Sequence, residues 1–208
     1  MTKIILIRHC QTQDNKKGLM QGYHNDSDFT QEGNKQLEKI CNFLKKENIK
    51  EIYCSDLGRA VKTAKAISKK FHVNINIIKN LREADIGDWK NMPVKEAIQK
   101  WIDYYNKKQS EGMLRENIRP PNGENAWDHK KRLKIVIQKI ISKHSNDTVV
   151  IVGHSGTNKV LLGIFSNKDP DDFYSTPQDN ACINIIETDG NNSNIILLNH
   201  TKHLNEKN

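Results

Sequence analysis

Short, mostly apolar runs alternate along this chain with segments whose apolar residues keep the spacing of an amphipathic helix. The runs "IILI" (4–7) and "TVVIV" (148–152) do not alternate polar with apolar residues, which is typical of parallel strands covered on both faces. Between such runs, apolar residues recur at helical spacing, for example at Leu37, Ile40, Cys41 and Leu44. The pattern predicts an α/β fold: a single three-layer domain over residues 1–208, with a mostly parallel central sheet flanked by helices.

Six strands are predicted, at residues 4–7, 51–55, 73–78, 148–152, 182–187 and 194–199. One helix follows Thr30, which can cap it, and two more run from about residue 56 to 70 and from 93 to 105. A long helix follows the break "RPPNGEN" (119–125), and a short one ends near Phe165. The Asp-Gly pair in "TDGNNS" predicts a tight reversal between the last two strands.

Composition narrows the classes of partner. The formal charge of +8 favours anionic partners, but the lysines are spread along predicted helices, so we expect solvated faces and no nucleic-acid stripe. No apolar run approaches the length of a membrane span and no signal-peptide pattern is visible, so no membrane partner is expected. The chain has four scattered cysteines: Cys10, Cys41, Cys54 and Cys182. They form no C-x-x-C pair, which favours a reduced, cytoplasmic setting over a disulfide framework or a zinc knuckle.

Three predicted strands deliver cationic or potentially cationic side chains at their carboxyl ends. Arg8 and His9 follow the first strand, Arg59 lies in the first turn of the helix after the second, and His154 follows "TVVIV". The carboxyl ends of strands form the binding crevice of an open α/β sheet, so these side chains are expected to face one crevice. Together with a helix N-terminus they predict an anion site.

A phosphoryl group fits this predicted site best. Arginine donors match tetrahedral oxygens, and fixed cations stabilise the charge that spreads over those oxygens during transfer. A neutral imidazole is a competent nucleophile, and the leaving alkoxide needs a proton. The segment "LREADIGDW" (81–89) supplies Glu83 as the candidate acid, with Asp85 and Asp88 as rivals.

The same residues resemble the motifs of the histidine phosphatase superfamily, the phosphoglycerate mutase-like fold, in its small bacterial-type branch. "LIRHCQTQDN" is similar to the opening R-H-G-x-(S/T)-x-x-N, and "YCSDLGRAVKTA" matches S-x-L-x-R-A-x-x-T-A almost completely. Further matches follow in the family's order along nearly the whole chain: "QGYHNDSDFTQEG", "LREADIGDW", "NGEN" and "VVIVGHSG".

The resemblance implies a role for each matched position. His9 would be the nucleophile that becomes a phosphohistidine, and Glu83 would be the general acid and then the base that activates water. Arg8, Arg59 and His154 would hold the phosphoryl oxygens with Asn15 assisting, and the matched segment adds the substrate-binding candidates Gln21 and Gly22. No metal and no cofactor are implied. The implied activity is hydrolysis of a small phosphorylated metabolite, similar to that of α-ribazole phosphatase, and a homodimer stays open.

Two departures from the family pattern bear on the substrate. Cys10 stands where the family usually has Gly, and a side chain there could crowd the phosphate pocket, so its effect stays open. Lys90 and Asn91 replace the usual E-G after Trp89, which changes the charge and turn geometry at the mouth. The stretch from about 87 to 125 is the predicted lid or insert, and α-ribazole phosphate, phosphoserine, phosphoglycerates and sugar phosphates all stay open as substrates.

Single positions argue against two other catalytic classes. A cysteine phosphatase needs C-x5-R, but Lys16 occupies the arginine position. A nucleophile elbow around Ser155 would need Gly where Thr157 stands. A phosphoglycerate mutase-type phosphotransferase and a catalytically inactive phospholigand-binding protein stay open as alternatives. Trp127 is expected in the core. The remaining histidines are expected at the surface: His24, His72, His129, His144, His200 and His203.

Overall fold

Within the residues that the computed structural model describes, 1–23, 27–169, 172 and 175–205, the strands form one six-stranded sheet. They are β1 (Thr2–Arg8), β2 (Ile49–Cys54), β3 (Ile75–Ile77), β4 (Thr148–Gly153), β5 (Ile183–Thr188) and β6 (Ser193–His200), in the order β3-β2-β4-β1-β5-β6. The pairs β1–β4, β2–β4 and β2–β3 are parallel, whereas β5 is antiparallel to both its neighbours. The prediction of a mostly parallel sheet is confirmed.

Helices lie on both faces of this sheet. The α-helices of the described residues are α1 (Gln13–Lys17), α2 (Gln31–Phe43), α3 (Gly58–Phe71), α4 (Val94–Ser110), α5 (Ala126–Lys143) and α6 (Ser155–Phe165). Of these, α2 and α3 pack on one face of the sheet and α5 and α6 on the other. Thr30 caps α2 as predicted, because its hydroxyl accepts a hydrogen bond from Gly33 N. A capping box of Asn125 and Asp128 starts α5 directly after the predicted break.

Two apolar layers pack between the sheet and the helices. On one face Ile5, Ile7, Val150 and Val152 pack with residues of α2 and α3 such as Ile40 and Ala64. On the other face Ile4, Leu6, Val149 and Ile151 pack with residues of α5 and α6 such as Ile137 and Leu161. Consecutive residues of β1 and β4 thus enter opposite layers, which is why these strands show no polar alternation. The predicted three-layer arrangement is confirmed.

Several element boundaries differ from the sequence prediction. β3 begins at Ile75, because Val73 N still donates to Ser68 O and His72 has a left-handed φ of 54° at the end of α3. α4 continues past the predicted end at 105, since helix-forming residues follow until Gly112, whose φ is 84°. Local propensity without tertiary contacts leaves such ends uncertain by a few residues.

The prediction of surface histidines is wrong for three of them: His129, His144 and His203 are buried, while His72 is exposed. His129 lies four residues before Leu133 and so faces the same apolar stripe of α5. Trp127 is only partly buried, contrary to prediction. It lies two residues before His129 on α5, and so it faces a different side of the helix from the apolar stripe. His24 lies outside the described residues.

Candidate active site

The neighbouring strands β1 and β4 end in two histidines that face each other. His9 follows the last residue of β1, His154 follows β4, and their ring centroids are 5.3 Å apart. Arg59 lies in the first turn of α3, which follows β2, the other neighbour of β4. Arg59, His9 and His154 keep only 1%, 3% and 0% of their surface exposed. The structure brings together the strand ends that the sequence singled out.

The hydrogen bond of His9 determines which ring nitrogen can react. His9 Nδ1 lies 2.8 Å from the carbonyl oxygen of Cys10. Because a carbonyl oxygen only accepts, Nδ1 bears the proton and the lone pair is on Nε2. Burial, assisted by the charges of Arg59 and Arg8, lowers the pKa of His9 well below its ordinary value. The imidazole is therefore neutral and nucleophilic near pH 7.

A segment from the far end of the sequence holds the main chain around His9. Asn180 Nδ2 and Ala181 N donate to the His9 carbonyl oxygen at 3.2 and 3.3 Å. The Arg8 guanidinium donates from one terminal nitrogen to Gln178 O at 2.7 Å, while its Nε has no partner among the described residues. Sequence analysis missed this segment, because no motif or periodicity links it to a site about 170 residues earlier.

Gly22 orients the Arg59 side chain through its backbone. The Gly22 carbonyl oxygen accepts a hydrogen bond from a terminal guanidinium nitrogen of Arg59 at 2.8 Å. Gly22 has a φ of 54°, and a Cβ placed there would lie 2.9 Å from Ile86 Cγ1. Both the left-handed backbone and the close approach require glycine at this turn.

Ser55 fixes the orientation of the His154 ring. Ser55 Oγ lies 2.6 Å from His154 Nε2 and also accepts from Leu57 N at 3.4 Å. The hydroxyl can donate its own hydrogen to Nε2, and in that arrangement the imidazole proton lies on Nδ1, which has no hydrogen-bond partner among the described residues. Burial and then Arg59 lower the pKa of His154 well below its ordinary value, so this ring is also neutral. Sequence analysis did not single out Ser55, although it begins the S-x-L-x-R-A motif.

Glu83 reaches the same edge from the segment after β3. Its carboxylate accepts hydrogen bonds from Gly156 N and Thr157 N, both at 3.0 Å, in the first turn of α6. A third bond comes from Ala84 N at 2.9 Å. A Cβ on Gly156 would lie 2.5 Å from Glu83 Oε1, so the carboxylate fits only because residue 156 has no side chain. The carboxyl group thus lies beside the helix that His154 begins.

The rival acids face elsewhere. Asp85 Oδ1 accepts from Gly87 N within its own loop at 3.0 Å. Asp88 is exposed and pairs with Asn122 Nδ2 at 3.1 Å. Of the three carboxylates, Glu83 is the one whose hydrogen bonds reach α6, and the charge of Glu83 also acts on Arg8, opposing the lowering of the Arg8 pKa by burial.

The family follows from comparison with known proteins. A model described as Histidine phosphatase superfamily (branch 1) matches residues 4–201. The chain belongs to the histidine phosphatase superfamily. It is 30% identical to Phosphoserine phosphatase 1 of Hydrogenobacter thermophilus, across 99% of this chain and 96% of that protein. It is 24% identical to the Adenosylcobalamin/alpha-ribazole phosphatase of Escherichia coli, across 89% of each.

A solved structure agrees with the fold of this histidine phosphatase. The phosphoserine phosphatase of Entamoeba histolytica in complex with 3-phosphoglyceric acid superimposes with a TM-score of 0.84 at 25% identity, covering 98% of this chain and 100% of that one. The predicted superfamily and phosphoglycerate mutase-like fold are confirmed. So is the reaction class, because the family match and these relatives identify a phosphatase.

Within the histidine phosphatase site, Asn15 and Gln21 meet at Thr12. Asn15 Oδ1 accepts from Thr12 N at 3.2 Å and from Asn180 Nδ2 at 3.1 Å, which leaves the Asn15 amide nitrogen as its donor. Gln21 is buried and donates from Nε2 to Thr12 Oγ1 at 3.0 Å. Gln21 and Gly22 therefore orient neighbouring protein groups, and their contact with substrate stays a prediction.

Cys10 does not lie where the sequence suggested. Its side chain is fully buried in the apolar layer that packs against α2 and α3, which answers the open question of whether it crowds the phosphate pocket: the thiol packs among apolar residues instead. Burial raises the pKa of the Cys10 thiol to about 12. A thiol that stays protonated at neutral pH is a poor nucleophile, which agrees with rejecting a cysteine phosphatase.

In the part of the chain that the structure describes, no three or more His, Cys, Asp or Glu side chains group as metal ligands. None of the helices in the same residues combines the length and the apolar character needed to span a bilayer.

Proposed function

We propose that this histidine phosphatase hydrolyses its phosphomonoester through a phosphohistidine formed on His9 Nε2. The observation that carries the proposal is the Nδ1 hydrogen bond to Cys10 O, which leaves a neutral Nε2 beside two arginines. In the first step Nε2 forms a bond to phosphorus as the ester P–O bond breaks. Glu83 gives its proton to the leaving alkoxide, and the alcohol departs.

The second step returns the enzyme to its starting state. Glu83, now a carboxylate, takes a proton from water as the water oxygen attacks phosphorus and the P–Nε2 bond breaks. Inorganic phosphate leaves, and Glu83 is again protonated. Arg8, Arg59, His154 Nδ1 and the Asn15 amide stabilise the phosphoryl oxygens in both steps, and the buried, water-poor setting strengthens those interactions.

The stretch 87–125 fits the proposed lid. Met20 N donates to Met92 O and Asn91 N to Met20 O, both at 2.9 Å, which fastens the beginning of the stretch near α1. Within it Trp89 is buried against Trp101 and Tyr104 of α4, with ring centroids 5.8 and 5.7 Å apart. Along α4 only Ala97 is buried, so most of this helix is available to contact a substrate or solvent.

The relatives support a small phosphorylated metabolite as substrate, and phosphoserine, α-ribazole phosphate, phosphoglycerates and sugar phosphates are the candidates. A panel of these esters ranked by kcat/KM identifies the preferred one. The four cysteines are unpaired, which supports the proposed cytoplasmic setting. The homodimer stays a prediction, which light scattering of the purified protein tests.

Trapping the intermediate tests the mechanism. We expect p-nitrophenyl phosphate, mixed briefly with the enzyme and quenched in alkali, to leave one phosphoryl group on His9, as detected by mass spectrometry. His9→Ala should lose this label and several powers of ten in turnover while remaining folded, since losing a nucleophile costs on that scale. Turnover of His9→Ala within tenfold of the parent would end the nucleophile assignment.

A further inference from the structure

A partly buried ion pair lies behind the segment that carries Glu83. The guanidinium of Arg132, on α5, donates to the carbonyl oxygens of Asn80, Arg82 and Glu83 at 2.7, 3.0 and 2.8 Å. Its other two N–H groups bind both carboxylate oxygens of Glu124. All five donors of the guanidinium are therefore engaged, three of them by the main chain that leads into Glu83.

Glu124 holds the same segment on the other side of Glu83. Its carboxylate accepts from Asp85 N at 3.1 Å, and its backbone N–H donates to Asp85 O at 2.9 Å. Directly before it, a Cβ on Gly123 would lie 2.5 Å from Asp85 O, so the two chains are in backbone contact. Residues 80–85 are thus bonded on both sides of the candidate acid by one ion pair.

We propose that Arg132 and Glu124 are positioning residues that place the Glu83 carboxyl for proton transfer. The inference rests on the proposed role of Glu83. A flexible side chain on a segment outside regular secondary structure cannot hold a carboxyl to the fraction of an ångström that proton transfer requires. The α6 amide groups fix the carboxylate end of Glu83, and the Arg132–Glu124 pair fixes its backbone end.

The chemistry of the pair favours this role over a purely stabilising one. The side chains of Arg132 and Glu124 are only 16% and 14% exposed, so the attraction between the two charges is largely offset by the cost of withdrawing both from water. What the pair provides is geometry, since a planar guanidinium can bridge a carboxylate and three carbonyl groups at once. A lysine keeps the charge but presents three donors at one point and cannot reproduce this bridge.

The test compares two leaving groups in the first turnover. Arg132→Lys and Glu124→Gln are mixed rapidly with glycerol 2-phosphate, whose alkoxide must be protonated, and with p-nitrophenyl phosphate, whose phenolate departs almost unaided. We expect a loss of about 10- to 100-fold on glycerol 2-phosphate and of less than about threefold on p-nitrophenyl phosphate. Introduced into Glu83→Gln, the same substitutions should cause no further loss on either ester.

Glu47→Gln is the matched control. Glu47 is 18% exposed and pairs with Lys3 at 2.7 Å near the amino end of β1, at the edge of the sheet opposite His9. The substitution Glu47→Gln removes a carboxylate of similar exposure from an ion pair that does not touch residues 80–85. We expect it to shift the melting temperature without changing the ratio of the two rates.

Three results would overturn the proposal. Equal losses on both esters would mean that the pair only stabilises the fold, and a full additional loss in the Glu83→Gln background would mean that it acts apart from Glu83. If Glu83→Gln loses the same rate on both esters, Glu83 is not the general acid, and the positioning role proposed for Arg132 and Glu124 is then also refuted. Should Arg132→Lys not fold, Glu124→Gln, which keeps the size and one acceptor oxygen, decides the question.

Discussion

Replacing Gly156 by alanine should separate the activity of this enzyme from its stability. A Cβ at this position would lie 2.5 Å from Glu83 Oε1 and 3.3 Å from Glu83 Cδ. Ordinary contact begins near 3.4 Å, so the carboxylate must retreat by about 1 Å. The atom that gives way is the end of a flexible side chain, so the cost is expected to fall on the position of the carboxyl group and not on the fold.

The expected magnitude follows from that displacement. A shift of about 1 Å in a reacting group costs on the order of 10²-fold in rate, and here it also weakens the bonds from Gly156 N and Thr157 N. Gly156 lies in the first turn of α6, where alanine is the better helix former by up to about 1 kcal/mol. We therefore expect Gly156→Ala to melt no lower than the parent while losing about 10²-fold on an alkyl phosphate.

The assay is the first-turnover rate on glycerol 2-phosphate, measured beside thermal unfolding of the same preparation. A variant that keeps the parental rate would refute the reasoning, because the Glu83 carboxyl would then not need its present position. A rate loss accompanied by a large fall in melting temperature would also refute it, since damage to the fold would explain the loss. In Glu83→Gln the added methyl group should cost little further rate.

Other expected outcomes concern the acid, metals and pH. Glu83→Gln should lose about 10²–10⁴-fold in the first turnover on alkyl phosphates but far less on p-nitrophenyl phosphate, and equal losses would direct attention to Asp85 and Asp88. Dialysis against a chelator should leave the rate unchanged, because Arg8, Arg59 and His154 are proposed to meet the phosphate charge; a collapse restored by one added metal would contradict this. The folded-state pKa values of four buried histidines are lowered, so below the ordinary value near 6.5 the unfolded chain binds more protons and the free energy of unfolding falls: His9, His129, His154 and His203. Lowering the pH from 7.5 to 5.5 costs about one power of ten in the folding equilibrium for each of them, hence roughly 5 kcal/mol for the four together. Urea unfolding that gives equal free energies at the two pH values would count against their burial in the neutral form.

Much of the candidate active site could be read from the sequence because its residues are placed by local sequence patterns. Arg8, His9 and His154 lie at the ends of apolar runs. Arg59 lies about one helical turn beyond the end of the predicted strand 51–55. Parallel strands share one carboxyl edge, so finding the strands was enough to bring these side chains together. The motifs around them then indicated the superfamily over nearly the whole chain.

Burial within helices was less well predicted, although the signal was present. His129 occupies the apolar stripe of α5 at the spacing of Leu133, and treating histidine as a polar surface residue hid this. For Cys10, the sequence suggested a side chain in the pocket, but the structure places it in the core. The family's glycine suggested that any side chain would enter the pocket, whereas the tertiary structure turns the thiol into the apolar layer behind it.

The sequence by itself determined the sheet, its carboxyl edge and the side chains that meet there, because periodicity and strand ends are properties of neighbouring residues. Only the tertiary structure decided which nitrogen of His9 bears the proton, how Gly156 admits the Glu83 carboxylate, and that Arg132 and Glu124 bond to the segment behind it. These features are hydrogen bonds and close contacts, most of them between groups tens of residues apart, and they form only where packed loops and helices bring donor and acceptor to about 3 Å. No local pattern in a single chain encodes such a distance.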